Sequence, residues 1–233
     1  MGKRIIQRAR GHGGPAYRTR KQAYRISVSY PRTEGVGEVL KLMHLACYDA
    51  PVAKIKLNHE IFYNIAAEGM HEGQRIMVGK NVPIATGNII PLGMLPLGTL
   101  IYNIETIPGM GGKMVRTSGI AGRIIKKEPK GVSVLLPSKK EKTFNPNARA
   151  SIGTVAASGR LEKPLVKASK GLFMAKATGG RVYPRTSAVK MNIIDHPFGS
   201  GRGKRIKSKI SKRWAPPGRK VGLLRPRRTG RKK

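Results

Sequence analysis

Apolar and polar positions alternate with a period of two through the middle of this chain. Residues 52–57 set Lys54 and Lys56 between apolar neighbours, the sign of a strand with one buried face. Asn58, His59 and Glu60 supply a turn and residues 61–66 return, so 52–66 predicts a hairpin. Residues 39–48 form a longer apolar-rich run, and 75–78 a further short strand. The stretch 84–98 is rich in Pro and Gly and predicts a domain junction. Beyond it, strands are expected at 99–105, 120–126, 132–136 and 150–156, separated by turn signals at 108–112, 129–131, 137–138 and 145–147. Short strands punctuated by turns indicate small barrels rather than a parallel sheet with crossover helices. The body predicts no three-turn helix, and residues 170–177 suit a short one. After Gly159 the periodicity fades. The chain from 160 onward reads as an extension that buries too little apolar area to offset its ordering entropy, so most of it is expected to be disordered when free.

Charge changes this picture. All eleven carboxylates lie between Glu34 and Asp195. The first 32 residues carry nine Lys/Arg and no acid, and the last 38 carry fifteen and no acid. The whole chain is +36. Arms of one sign cannot neutralise themselves, so a polyanion outside the chain is expected to do it. An anionic membrane would require an amphipathic helix, and Gly and Pro interrupt both arms (11–15, 199–203, 216–218). The longest apolar run, 89–102, contains Pro91, Gly93, Pro96 and Gly98 and is no membrane span. The start has no hydrophobic signal core, and Ile6 stands where a myristoylation signal needs Ser or Thr. The expectation is an intracellular protein. Cys47, the single cysteine, allows no internal disulfide and no Cys-rich zinc site, and is expected to be a small buried hydrophobe.

Catalytic signatures fail one by one. His59-Glu60 begins like a metalloprotease helix, but Tyr63 stands where the second His belongs; His71-Glu72 fails at Arg75. The Gly-rich stretches 109–113 and 199–204 lack Walker spacing. The five histidines show no metal-ligand pairing. The segment 191–199 holds Asp195 beside His196 and admits three readings. Asp195 orients an imidazole for base catalysis; or Asp195 accepts backbone hydrogen bonds in a tight loop that Pro197 fixes; or His196 stacks on, or bonds to, a nucleotide. Trp214 either stacks on a base or anchors its arm.

Residues 189–201, with Asn192, Asp195, His196, Pro197, Phe198 and Gly199, closely resemble a loop of the universal large-subunit ribosomal protein family conventionally numbered two. Residues 215–222 and 228–231 resemble that family's C-terminal motifs; 111–113, 116–119 and 150–153 its central barrel; and 8–11 its archaeal and cytosolic-eukaryotic branch. Two departures stand out. Ser200 and Arg202 interrupt a run that is usually Gly-rich, and 184–187 reads Pro-Arg-Thr-Ser where an Arg-Gly pair is more usual.

The resemblance implies an all-β chain. A basic extension (1–33) precedes an OB-fold (34–83), an SH3-like barrel (84–160) and a second basic extension (161–233). It implies no enzyme activity, cofactor or metal, and a place in the cytoplasmic ribosome near the peptidyl-transferase centre. Implied partners are large-subunit rRNA, neighbouring ribosomal proteins and, at the interface, small-subunit components, with no membrane. The resemblance carries the loop role to Asn192, Asp195, His196, Pro197 and Gly199; the full set of residues expected to bind rRNA begins with Arg8, Arg10, Arg18 and Arg20 near the start and Lys113, Arg116 and Arg123 centrally. In and after the loop they are Lys190, Asn192, Asp195, His196, Pro197, Gly199, Arg202, Lys204, Arg205, Trp214, Arg219, Lys220, Arg228 and Arg231. Two other classes remain alongside it: an enzyme with His196 as general base, and an architectural nucleic-acid-binding protein outside the ribosome.

Overall fold

The computed structural model describes residues 5–15, 17–18, 25–129, 131–177, 183–199, 214 and 221–222. The described residues fall into two compact units. One holds residues 25–168. The other holds the described residues near the two ends of the chain and most of one helix.

The first unit is all-β. Strand β1 (Gly35–Met43) pairs antiparallel with β2 (Val52–Leu57) and with β4 (Arg75–Val78), and β2 pairs with β3 (Glu60–Ile65). The expected hairpin is present. Asn58 and His59 are its two unpaired residues, and Asn58 takes φ 51°, a left-handed geometry that Asn tolerates better than most side chains. Buried Ile55 and Leu57 alternate with half-buried Lys54 and exposed Lys56, as period two demands. The apolar run expected to continue to residue 48 leaves the strand after Met43. There Cys47 has φ 77° and is half-buried, not the fully buried side chain expected of it.

Strand β5 (Ile89–Pro91) lies inside the Pro/Gly-rich stretch and pairs parallel with β4 through Val78 and Ile89. It also pairs with β12 (Arg149–Ile152), which continues to β6 (Leu100–Tyr102) and β9 (Gly122–Glu128). β10 (Gly131–Leu135) and β11 (Glu141–Phe144) complete the order β11-β10-β9-β6-β12-β5-β4-β1-β2-β3. Among the described residues this sheet keeps two open edges. The strand expected over 99–105 is split by Asn103, which has φ 50°. β7 (Ile104–Glu105) turns away there to pair with β8 (Gly112–Met114). One apolar core runs beneath both groups of strands, with Ile55, Ile65 and Ile76 from the first and Ile89, Leu92 and Ile124 from the second fully buried. Removing such side chains from water is the main force holding the unit.

In the other unit, α1 (Ile6–Gly11) stops at the Gly/Pro stretch 11–15 that was expected to interrupt the arm. Within that stretch Gly13 takes φ 64°. α2 (Ala168–Ala177) covers the short helix expected near 170–177. A 3-10 turn at Ala188–Lys190 leads into the loop 191–199.

Candidate nucleic-acid interface

The strands of the first unit are locked together by buried polar groups that local sequence gives no hint of. Tyr30 Oη donates to the Asn103 carbonyl at 2.6 Å and lies 2.9 Å from Ser151 Oγ. Asn64 Nδ2 donates to Ser151 Oγ at 3.0 Å, and Asn103 Nδ2 to Asn64 Oδ1 at 2.8 Å. Tyr102 Oη donates to the Ile65 carbonyl at 3.0 Å. Burial pushes the Tyr30 and Tyr102 phenols well above their ordinary range, so both remain donors at any physiological pH. Buried Glu105 meets Arg149, Nη2 to Oε1 at 3.0 Å, while Arg149 Nη1 donates to the Pro31 carbonyl at 2.6 Å. Its guanidinium also lies over the Tyr30 ring, 5.4 Å from the centroid. Arg149 is thus a structural cation, and its charge is used inside the unit.

Two of the three expected RNA-facing cations of this unit are exposed. Lys113 projects from β8 and is exposed. Arg123, on β9, is exposed and its Nε donates to the Gly98 carbonyl at 3.4 Å. Arg116 is half-buried, with Nη1 donating to the Gly112 carbonyl at 3.3 Å and the guanidinium 5.3 Å from the Tyr48 ring centroid. Arg160 was not among the expected residues. Its Nε donates to Ser118 Oγ at 2.9 Å and its Nη2 lies 3.6 Å from Asp49 Oδ2, in the stretch following Arg116.

Charge is unevenly divided. Residues 34–83 hold five Lys/Arg against six Asp/Glu; residues 84–160 hold eleven against three. Cross-strand neighbours repeat the contrast. Glu38 on β1 stands opposite Lys56 on β2 and Arg75 on β4, so cations there face a carboxylate. On β9, Lys126 and Lys127 stand opposite Ser133 and Val132, and Ser133 in turn bonds Thr143, so their cross-strand neighbours cancel nothing. Lys126 meets Glu128 on its own strand at 2.6 Å, an exposed pair of small energetic consequence.

In the second unit the loop after the 3-10 turn closes on itself. The Asp195 and His196 amides both donate to the Asn192 carbonyl, at 3.0 and 3.2 Å, and the Gly199 amide to the His196 carbonyl at 2.8 Å. The Phe198 amide donates to His196 Nδ1 at 3.1 Å, and the two rings lie 5.0 Å apart, tilted by 57°. A Cβ on Gly199 would collide with the Asn192 carbonyl and come within 2.6 Å of the Met191 oxygen, so only glycine fits. His196 is buried, 4% exposed, and this burial lowers its pKa. Nδ1 accepts the Phe198 amide, so this nitrogen neither presents a proton to Asp195 nor offers a free lone pair as a base. What the loop shows to solvent is Lys190, Asn192 and two side chains absent from the expected set, Ile193 and Ile194; Asp195 and Pro197 are half-buried.

Arg8 on α1 is exposed, and Arg18 is exposed with its Nε donating to the Gly13 carbonyl at 2.6 Å. Trp214 is 87% exposed. The Arg10 side chain lies outside the described residues, as do Arg20, Arg202, Lys204, Arg205, Arg219, Lys220, Arg228 and Arg231. Among the described residues no helix is long and apolar enough to cross a membrane.

The family described as Ribosomal Proteins L2, C-terminal domain, matches residues 85–216. The protein named large ribosomal subunit protein uL2 from Archaeoglobus fulgidus is 43% identical over 235 residues, covering 99% of each chain. Proteins of the same name from Methanothrix thermoacetophila and Hyperthermus butylicus are each 43% identical, over 237 and 239 residues, covering both chains completely. Similarity on this scale runs through the all-β unit and the loop that Gly199 closes alike, and the chain belongs to the ribosomal protein L2 family.

Proposed function

We propose that the chain is a structural constituent of the large ribosomal subunit. In this reading it binds large-subunit rRNA near the peptidyl-transferase centre and supports assembly, subunit association and translation in the cytoplasm. The supporting observation is the separation of charge from fold. Arg149 and Arg160 are paired with carboxylates within the body, whereas exposed cations of residues 84–160 and both acid-free ends are left for an external polyanion. Its partners are rRNA, neighbouring ribosomal proteins and small-subunit components at the interface. Within this role residues 34–83 serve as the OB-fold and 84–160 as the SH3-like barrel, with 1–33 and 161–233 as RNA-binding extensions. The L2 family is a family of structural ribosomal components, so the chain is not an enzyme. His196 then serves its loop: the buried ring shapes 192–199 so that Asn192, Ile193 and Ile194 reach outward.

A high-salt wash of ribosomes tests the proposal. The chain is expected to stay with the large subunit, and exclusive recovery in the supernatant overturns the reading. A chain lacking 196–233 is expected to keep its melting transition yet fail to incorporate; normal incorporation removes the role of the C-terminal extension.

A further inference from the structure

Between β7 and β8 the chain makes a loop, 106–111, whose base is fixed and whose tip is apolar. Glu105, with no exposed surface, accepts the Gly109 amide at 3.2 Å on Oε2 and the Gly111 amide at 3.1 Å on Oε1. The same carboxylate takes the Arg149 amide at 2.9 Å and the Arg149 guanidinium at 3.0 Å, so the group that fixes the loop is itself held by β12. Gly109 and Gly111 have φ 81° and 76°, the left-handed geometry that lets both amides turn inward onto one carboxylate. At Gly111 a Cβ would stand 3.3 Å from Ser29 Cα, so the foot of the loop rests against the segment before β1.

On this fixed base, Ile107 is 57% exposed and Met110 55% exposed, with exposed Pro108 between them. Single exposed apolar side chains are ordinary. Here two of them lie on a loop already ordered by a buried carboxylate, so covering them with a ligand costs little further ordering entropy. The surroundings select the partner. From residue 106 to 127 the chain has five Lys/Arg and no acid. Lys113 follows the loop, Arg116 reaches back to the Gly112 carbonyl, and Lys142 Nζ lies 3.5 Å from Met114 Sδ. An apolar tip followed along β8 by cations suits a ligand with flat apolar faces and flanking negative charge, the chemistry of a nucleobase in its phosphate backbone. A protein surface would have to bring an acidic rim to the same place.

We propose that loop 106–111 is a preorganised apolar wedge. It seats Ile107 and Met110 against the face of an unstacked base in the bound RNA, while Lys113, Arg116 and Lys142 hold the neighbouring phosphates. The proposal rests on the RNA-binding reading above. Glu105 is a positioning residue within it, fixing the loop without touching RNA.

The test uses the full chain and deproteinised large-subunit rRNA, with affinity measured against salt and base reactivity probed chemically. Ile107→Ala with Met110→Ala removes only exposed atoms, so the melting curve is expected to stay in place. Affinity is expected to fall about tenfold, the slope of log K against log salt to be unchanged, and protection of one base to be lost. Ile107→Leu with Met110→Leu is expected to retain both. Lys113→Gln is expected to do the reverse, reducing the slope by about 0.7–0.9 with base protection kept. If the double alanine variant binds and protects as the parent does while Lys113→Gln still shifts the slope, the wedge is wrong and RNA binding stands. Crosslinking from position 107 to a protein in intact subunits likewise overturns the wedge. Absence of salt-dependent binding by the parent chain defeats the RNA reading itself.

Discussion

Residues 34–83 and 84–160 share one sheet and one apolar core, yet they treat their charges differently. In the first stretch Glu38 faces Lys56 and Arg75 across β1, β2 and β4, and bases nearly equal acids. In the second, Lys126 and Lys127 face Ser133 and Val132, and bases outnumber acids by eleven to three. Strand formation cannot explain the contrast, because both stretches bury the same types of Ile, Val and Leu at alternating positions. The exposed positions differ, and exposed positions are where a fold is free to carry a message. A nearly neutral stretch needs no outside counterion, whereas one with uncancelled cations favours a polyanionic partner. The division of labour is within one body: 34–83 completes the core and 84–160 adds the electrostatic surface.

The largest effect that sharpens this contrast is expected from Arg149→Ala. It is the cation of 84–160 spent on Glu105, and its removal strands a buried carboxylate. A loss of about 3–5 kcal/mol is expected in urea unfolding, whereas Arg123→Ala, which removes an exposed cation, should change stability by under about 0.5 kcal/mol. Equal effects would erase the distinction between inner and outer cations. Next in size, Ile89→Ala at the β4–β5 seam is expected to cost about 2–5 kcal/mol. Because the core is continuous, intrinsic probes placed in either stretch should report one shared transition; two separate transitions would break the comparison at its base.

Binding gives a smaller but more selective readout. Lys113, Arg123 and Lys127 replaced together by Gln are expected to lower the salt slope of rRNA binding by about two. The matched triple Lys41, Lys56 and Arg75 to Gln is expected to leave it nearly unchanged, and an equal drop would contradict the division. The smallest effect concerns the second unit. His196 is buried and its pKa is lowered, so the unfolded chain binds a proton more readily than the folded loop does. The stability this contributes is complete above about pH 6.5 and is lost as pH falls from there through the lowered folded value. Exchange protection, corrected for the intrinsic pH dependence of amide exchange, should fall at Phe198 and Gly199 over that window and stay constant in β2 and β3.

Much of the sheet was legible because period two is a local signal. The hairpin of β2 and β3 shows how little is needed: Lys54, Lys56 and a turn at Asn58. β5, β8 and β11 lack it. β5 is Ile-Ile-Pro in a breaker-rich stretch, β8 is three residues long, and β11 buries only Phe144. Asn103 shows a different limit. Its neighbours read as one strand, and the left-handed backbone that divides them is held by hydrogen bonds to Asn64 and Tyr30, far away in sequence. The interface divides the same way. Cations in acid-free ends announce themselves by composition. The Glu105–Arg149 pair spans 44 positions, and exposed Ile107, Met110, Ile193 and Ile194 are indistinguishable from core residues until the fold places them.

The central claim is that rRNA lies against 84–160 and the terminal segments, not against 34–83. A residue-resolved protein–RNA crosslink map of intact large subunits tests it most directly. The account predicts crosslinks clustered around Lys113, Arg116, Arg123 and residues 190–199, with few at Lys41, Lys56 and Arg75. Crosslinks as dense over 34–83 as over 84–160 would contradict it.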